Sequence, residues 1–396
     1  MNILAKQKCS FTINFNNIWT AIVLLLFIKP QISEDIAILD FIFNAGRIGL
    51  SIVYVVLMFL TIKKISRDWL YLFGIFVCVF ATTNVYGGII SKAITHYVPA
   101  IGLLAFILCN KKDLCSVFKV AISLGYILLF LNLITFFAFP NGMIYREASN
   151  VRVWLLGQKQ DLAGFIFPIL YFSMILGRIS KKYEKTFLYM YILSFVTVFL
   201  EQSVAAFICL LTLGLLCFFD NFISQKIKKP VLISICIAAF GIIQYISYNF
   251  NSMPGFQALL LKINTVGISK VRSLSTRFSM WKFAWDTFFK HPVFGMGELS
   301  RESWIRGVGF YHSILDNMFM DLLMTAGFIG ILGFIILLVR SFNILNKYSK
   351  ERNIRYMSYG LFVLCIYMFF GSPFFPMVFL MISTAAWLPK MITNIS

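Results

Sequence analysis

The stretch Gly309–Asn317, GFYHSILDN, sets His312, Ser313, Asp316 and Asn317 side by side at the start of a long apolar run. Only three histidines occur in 396 residues, so one at this border stands out. An imidazole titrates near neutrality and can take or orient a proton. Asp316 follows His312 by four residues, so the two share a face if the segment is helical, and the carboxylate could orient the ring. The plainer reading of His312 is a satisfied histidine at a membrane interface.

A second candidate lies upstream, in STRFSMWKFAWDTFFKHP at residues 275–292. Phe278, Trp281, Trp285 and Phe288 recur at helical spacing along one face. Ser275 or Thr276 suits the N-cap, and Pro292 with the following glycines suits the end. This predicts an amphipathic helix lying in an interface, anchored by two tryptophans. Arg277 would then sit in the first turn, where the helix dipole disfavours a cation. An anion such as a phosphate at that end would make the position favourable.

More cations gather nearby. Residues from about 250 to 312 carry Lys262, Lys270, Arg272, Arg277, Lys282, Lys290, Arg301 and Arg306 against Asp286, Glu298 and Glu302. The stretch 140–160 adds Arg146, Arg152 and Lys159 against Glu147. Arg47 stands inside an apolar run, where a charge is costly unless it faces a cavity or pairs, here with Asp40. No acids or histidines show metal-ligand spacing. The eight cysteines include no CxxC and no Cys/His pair, which argues against a zinc site or a disulfide framework.

What must position these residues is a membrane bundle. Charged residues are 13% and apolar ones 60%, with a mean hydropathy of +0.84; soluble domains carry about 25% charged residues. Apolar runs recur along the chain, each long enough for a hydrocarbon core of about 30 Å. The spacing predicts about twelve spans, at roughly 15–29, 41–62, 69–86, 93–109, 117–139, 162–177, 186–201, 203–219, 231–249, 313–339, 357–371 and 373–389. The first reads as a retained span because no cleavage site follows it. Glu201-Gln202-Ser203 reads as a tight turn between the seventh and eighth.

Lysine and arginine clusters follow the second, fourth, sixth, eighth and tenth spans. Lys63, Lys111, Arg178, Lys226 and Arg340 begin them. Twelve spans with both termini in the cytoplasm put every cluster on one side. The fold class is thus an all-α polytopic bundle, a single membrane domain over 1–396 with one large external loop at 250–312. The net charge of +19 is mostly this topology signal, and no nucleic-acid-binding face is visible. The cationic excess of the two outer segments runs against that signal and points to an anionic partner at the outer surface.

Taken together, Arg277…Trp281, Pro292…Gly295…Gly297, His312-Ser313 and Gly327…Gly330 resemble the signature of the O-antigen ligase and polymerase superfamily. Gly157, Lys159 and Gln160 are similar to a second stretch of that family. In EQSVAAF, Val204 stands after Ser203 where the family has an arginine. The resemblance implies a glycosyltransferase of the bacterial cytoplasmic (inner) membrane that needs no metal and no cofactor. It would take undecaprenyl-pyrophosphate-linked glycans at the outer face of the bilayer. It leaves room for a flippase and a chain-length regulator as partners.

In that reading Arg277 steadies the leaving pyrophosphate and His312 serves the acceptor hydroxyl. The second cation is open among Arg47, Arg152, Arg272, Arg301 and Arg306, with Lys159 and Asp316 as further substrate contacts. A polysaccharide polymerase for O-antigen or capsule is the leading expectation. A ligase acting on lipid A–core is the alternative. A flippase or transporter should instead show broken helices and polar groups at mid-depth.

Overall fold

The structure, a computed structural model, describes residues 15–62, 65–110, 113–146, 151–159, 161–179, 183–222, 268–309, 315–371 and 376–393, with isolated positions between 238 and 249. Its helices are α1 (Phe15–Ile28), α2 (Ala37–Thr61), α3 (Arg67–Val85), α4 (Ile90–Cys109), α5 (Leu114–Ala138), α6 (Leu162–Ile179), α7 (Thr186–Leu200), α8 (Val204–Phe218), α9 (Ile268–Lys290), α10 (Arg301–Val308), α11 (Met318–Lys347), α12 (Arg352–Tyr367) and α13 (Pro376–Thr393). A two-stranded hairpin, β1 (Ile144–Arg146) against β2 (Val151–Val153), is the one β-sheet among the described residues.

Helices α2, α3, α4, α5 and α11 are each long and apolar enough to cross a membrane, and α1, α6, α7 and α8 are shorter apolar helices. The chain is an all-α polytopic membrane protein. Phe41, Ile52 and Leu60 of α2 are exposed at 73%, 58% and 78%. An outward face of that kind is unfavourable in water and at rest in lipid. Every expected span has a helix at its place except the ninth, 231–249, which lies outside the described residues apart from isolated positions. The turn expected at Glu201–Ser203 is present: Gln202 takes a positive φ of 55°, and Ser203 N donates back to Val198 O.

Two groups of helices share one core. In the first, α4 lies between α2, α3 and α13. Gly102 of α4 meets Ser51 of α2 so closely that a Cβ there would overlap it, the small-residue contact by which helices approach in lipid. In the second, α6 packs on α5, α7, α12 and α13. Helix α11 joins the groups through α3 and α13.

The basic segments meet at one end of this bundle. Arg340 pairs with Asp68 at 3.1 Å, Arg355 binds Asp220, and Lys119 lies 5.4 Å from the Tyr183 ring centre. These contacts link the segments after the tenth and second, the tenth and eighth, and the fourth and sixth spans.

Two helix boundaries differ from expectation. Helix α9 is already helical at Ile268, so Arg277 stands in its middle and not in a first turn. The N-terminal dipole therefore does not act on Arg277. Helix α11 begins at Met318, capped by Asn317, whose Oδ1 accepts from Phe319 N and Met320 N. Asp316 precedes the helix, and position 312 lies outside the described residues.

Candidate functional site

Helix α11 is broken. Gly327 takes φ 60°, ψ −156° in its middle, which separates Met318–Ala326 from Phe328–Lys347. A break inside an apolar bundle leaves backbone groups without partners, and they must be satisfied locally. The segment after α9 does this. Met296 N donates to Met324 O and Gly297 N to Thr325 O, both at 2.9 Å. In return Phe328 N donates to Pro292 O and Ile329 N to Val293 O.

The glycines of this segment are required by shape. Gly297 and Gly327 both have positive φ, and a Cβ on either would run into backbone, of Thr83 and of Gly295 respectively. The Pro292–Gly297 motif is thus a plug in the break of α11, with Val293 and Phe294 facing outward. It lies within the segment 250–312 that was expected to form an external loop.

The plug ends on a buried charge. Glu298 is 2% exposed. Lys92 Nζ lies 2.6 Å from its Oε2, and His96 Nδ1 lies 3.1 Å from its Oε1. Thr83 Oγ1 accepts from Glu298 N at 2.8 Å, and Ile89 N donates to Glu298 O at 2.8 Å. One residue therefore ties the plug to α3, to α4 and to the turn between them. Burial alone would push this carboxyl up, but Lys92 and His96 outweigh it and carry it down to about 2. Asp321, buried on the first half of α11, lies in the same electrostatic field.

Arg277 stands on α9, which packs against α11. Its Nε donates to Asp316 Oδ2 at 2.9 Å, with both side chains 19% exposed. The Nη donors make no further ion pair among the described residues. Trp281, one turn on, is 3% exposed, and its Nε1 is buried without a hydrogen-bond partner among the described residues. Trp281 is therefore a packing residue of the bundle, more deeply seated than an interfacial anchor. Arg277, Asp316 and Asp161 are all near enough to act electrostatically on Tyr367 at the end of α12. This end of α12 lies away from the basic cluster, which sits at its start.

A second polar block adjoins it. Asn132 of α5 donates Nδ2 to Glu201 Oε1 and accepts from Leu156 N. Ser203 Oγ donates to Lys159 O at 2.6 Å. Glu201 is 4% exposed, and burial pushes its carboxyl up to about 7 against the Asn132 hydrogen bond, with Asp161 adding to the rise. Gly157, at φ 116°, backs onto Asp161 and Gln31.

The other expected site residues are spread out. His312 and Ser313 lie outside the described residues, as does Gln160. Arg272 is on α9, with only its backbone described. Arg301 and Arg306 sit on the exposed side of α10, which buries Trp304 against Phe283 of α9. Arg306 reaches Glu302 only at 3.9 Å, with both side chains in solvent, a pair of little energetic consequence. Arg152 is exposed on β2, and Nη1 donates to Pro140 O. The Lys159 side chain is exposed.

Arg47 is half-buried on α2, and its Nε has no hydrogen-bond partner among the described residues. The expected Arg47–Asp40 pair is not formed. Asp40 binds Lys29 instead, at 2.7 Å, and Glu34 joins that lysine at 3.2 Å. Asp316 holds Arg277 through Oδ2, while the His312 ring it was expected to orient lies outside the described residues. Among those of these cations whose side chains are described, the structure brings Arg277 alone to Asp316.

Lys92, His96 and Glu298 were not singled out as a unit by sequence reasoning. Lys92 fell one residue outside the fourth expected span, and Glu298 counted only as a loop charge. A lysine and a histidine four apart at the mouth of an apolar run was the available signal. Nothing in the chain order pairs them with a glutamate 202 residues away.

Residues 189–335 match the family described as O-antigen ligase. The match spans α7 to the middle of α11 and so includes Glu201, Arg277, the plug and the break at Gly327. It does not reach Arg47, Lys92, His96, Arg152 or Lys159. No curated protein matches the chain.

Proposed function

We propose that this chain, which carries an O-antigen ligase segment at residues 189–335 and so stands in the O-antigen ligase and polymerase superfamily, is a polysaccharide polymerase. It moves a growing glycan from undecaprenyl pyrophosphate to a lipid-linked repeat unit at the outer face of the cytoplasmic membrane. The acceptor hydroxyl oxygen attacks the anomeric carbon of the donor as the bond from that carbon to the pyrophosphate oxygen breaks. The proton passes to His312, and the charge left on the pyrophosphate is met by Arg277. A guanidinium fixed before the substrate arrives loses little on reorganising, which is why fixed charges contribute most to such steps.

The observation that carries this reading is the placement of Arg277. It is anchored by Asp316, four residues beyond His312, on a helix packed against the broken α11, all within the family segment. Asp316 neutralises part of its charge but uses only Nε, which leaves the Nη pair as donors for phosphate oxygens.

The broken α11 favours a second reading, since a flippase or transporter would show such a helix. In this bundle the break is filled by residues 292–297, which satisfy it internally. A deletion strain separates the readings. Loss of a polymerase leaves lipid A–core capped by one repeat unit. Loss of a ligase leaves no cap and long chains on the carrier. Loss of a flippase leaves repeat units unprocessed on the cytoplasmic side.

A further inference from the structure

At the basic end of the bundle a cavity of about 550 Å³ opens between α6, α7, α8 and α12. Ligand sites run from roughly 300 to 1,000 Å³, and the residues of the site above do not line it. Met174, Phe187, Leu188 and Phe218 give it apolar walls. Leu188 and Phe218 are also outward-facing, at 53% and 81% exposed, so the cavity is open sideways towards hydrocarbon. Its charged lining groups are Glu184, Lys185 and Arg352, one carboxylate against two cations. The neighbouring charges are already matched: Arg355 binds Asp220, and Lys119 lies over Tyr183.

Arg352 Nε donates to the Tyr356 hydroxyl at 2.8 Å, and the guanidinium lies 5.2 Å from that ring's centre. This contact fixes the group and leaves its Nη donors for an anion. Lys185 makes no ion pair among the described residues. Apolar walls open to lipid select an amphiphile, and a cationic rim at the basic end selects an anionic headgroup. The polyprenyl substrate is a poor fit. Tyr367, beside Arg277, lies at the far end of α12 from Arg352, about 22 Å away by helical rise.

We propose that this cavity holds one acyl chain of an anionic phospholipid, whose headgroup phosphate is bound by Lys185 and Arg352. The lipid fills the space between α7–α8 and α12. The proposal holds whichever glycan the enzyme makes.

Native mass spectrometry of the purified full chain, incubated with phosphatidylglycerol or with phosphatidylethanolamine of the same chains, tests it. Phosphatidylglycerol should be retained preferentially. Lys185→Gln and Arg352→Gln should each lower that retention about fivefold, by the usual worth of one cation near an anionic headgroup, and lower that of phosphatidylethanolamine less, because its ammonium offsets its phosphate. Leu188→Trp fills the cavity from its exposed side and should abolish retention of both. Lys185 is exposed, so its substitution does not threaten folding. Equal retention of the two lipids, or a preference that survives the double variant, would overturn the headgroup site. Phosphatidylglycerol retained undiminished in Leu188→Trp would overturn the acyl-chain assignment.

Discussion

Arg277 Nε and Asp316 Oδ2 lie 2.9 Å apart across 39 residues of sequence, joining the middle of α9 to the residue before the Asn317 cap of α11. Each of them alone is a common surface residue. Together they form a fixed cation at the end of the bundle away from the basic cluster. Replacing Arg277 by Ala should abolish transfer while the protein accumulates normally in the membrane. Arg277→Lys keeps the charge but loses the planar fork and should also be severely impaired. Asp316→Asn leaves the guanidinium present but unanchored, and misplacement of this kind costs up to about 10²-fold in rate. Turnover of a purified donor and acceptor lipid pair measures all three. Wild-type rates in Arg277→Ala would remove it from the site.

His312 is expected to serve the acceptor hydroxyl. A group in that role contributes about 10²–10⁴-fold in rate, so His312→Ala should slow polymer formation by that order. Donor binding should survive because the arginine is untouched. His312→Gln hydrogen-bonds but takes no proton near neutral pH. Recovery in the Gln variant would assign orientation instead of proton transfer, and full activity in both variants would leave the histidine structural.

Glu298 should be needed for folding more than for chemistry. Removing one partner of a buried ion pair costs about 3–5 kcal/mol, so Glu298→Ala should lower the melting temperature of the solubilised protein strongly. A carboxyl held below its ordinary 4.5 contributes stability above that pH and loses it as pH falls towards about 2. Wild-type melting temperature should therefore drop across that acidic window, and Glu298→Gln should lack this part of the drop. An unchanged pH profile in the variant would show that Glu298 is not the titrating group.

Glu201 should act with the opposite sign. Its carboxyl is raised from 4.5 to about 7 by burial in the α7–α8 turn. Its contribution is therefore full below about 4.5 and is lost as pH rises through about 7. Glu201→Gln keeps an oxygen for Asn132 and should flatten the decline between about pH 4.5 and 7. A decline of undiminished size in the variant would place the titration elsewhere.

The topology gives a further expectation. Glu302 is 86% exposed on α10, and Lys350 is exposed at the basic end. In a background without other cysteines, Glu302→Cys should react with an impermeant maleimide in intact spheroplasts. Lys350→Cys should react only after permeabilisation. The reverse pattern would invert the bundle and move Arg277 to the cytoplasmic side.

The helices were legible in the sequence because lipid imposes a local rule. About 20 apolar residues must run together, and lysine and arginine must mark one end. That rule located α1 to α8 and α11 to α13 and the turn at Glu201–Ser203. The spacing of Arg277, Trp281, Pro292, Gly297 and Gly327 likewise carried the resemblance to the O-antigen ligase family, which residues 189–335 match, since those residue types answer to local backbone and chemical needs. Tertiary structure alone decided what the glycines were for. Gly295 and Gly327 meet across a break whose backbone groups the plug hydrogen-bonds, and Gly297 lies against Thr83. It also decided the pairing of charges. Asp40 went to Lys29 and left Arg47 without it, Asp316 went to Arg277, and Glu298 found Lys92 and His96 about 200 residues away. A buried charge needs the nearest opposite charge in space, and which one that is depends on how helices pack, which hydropathy does not encode.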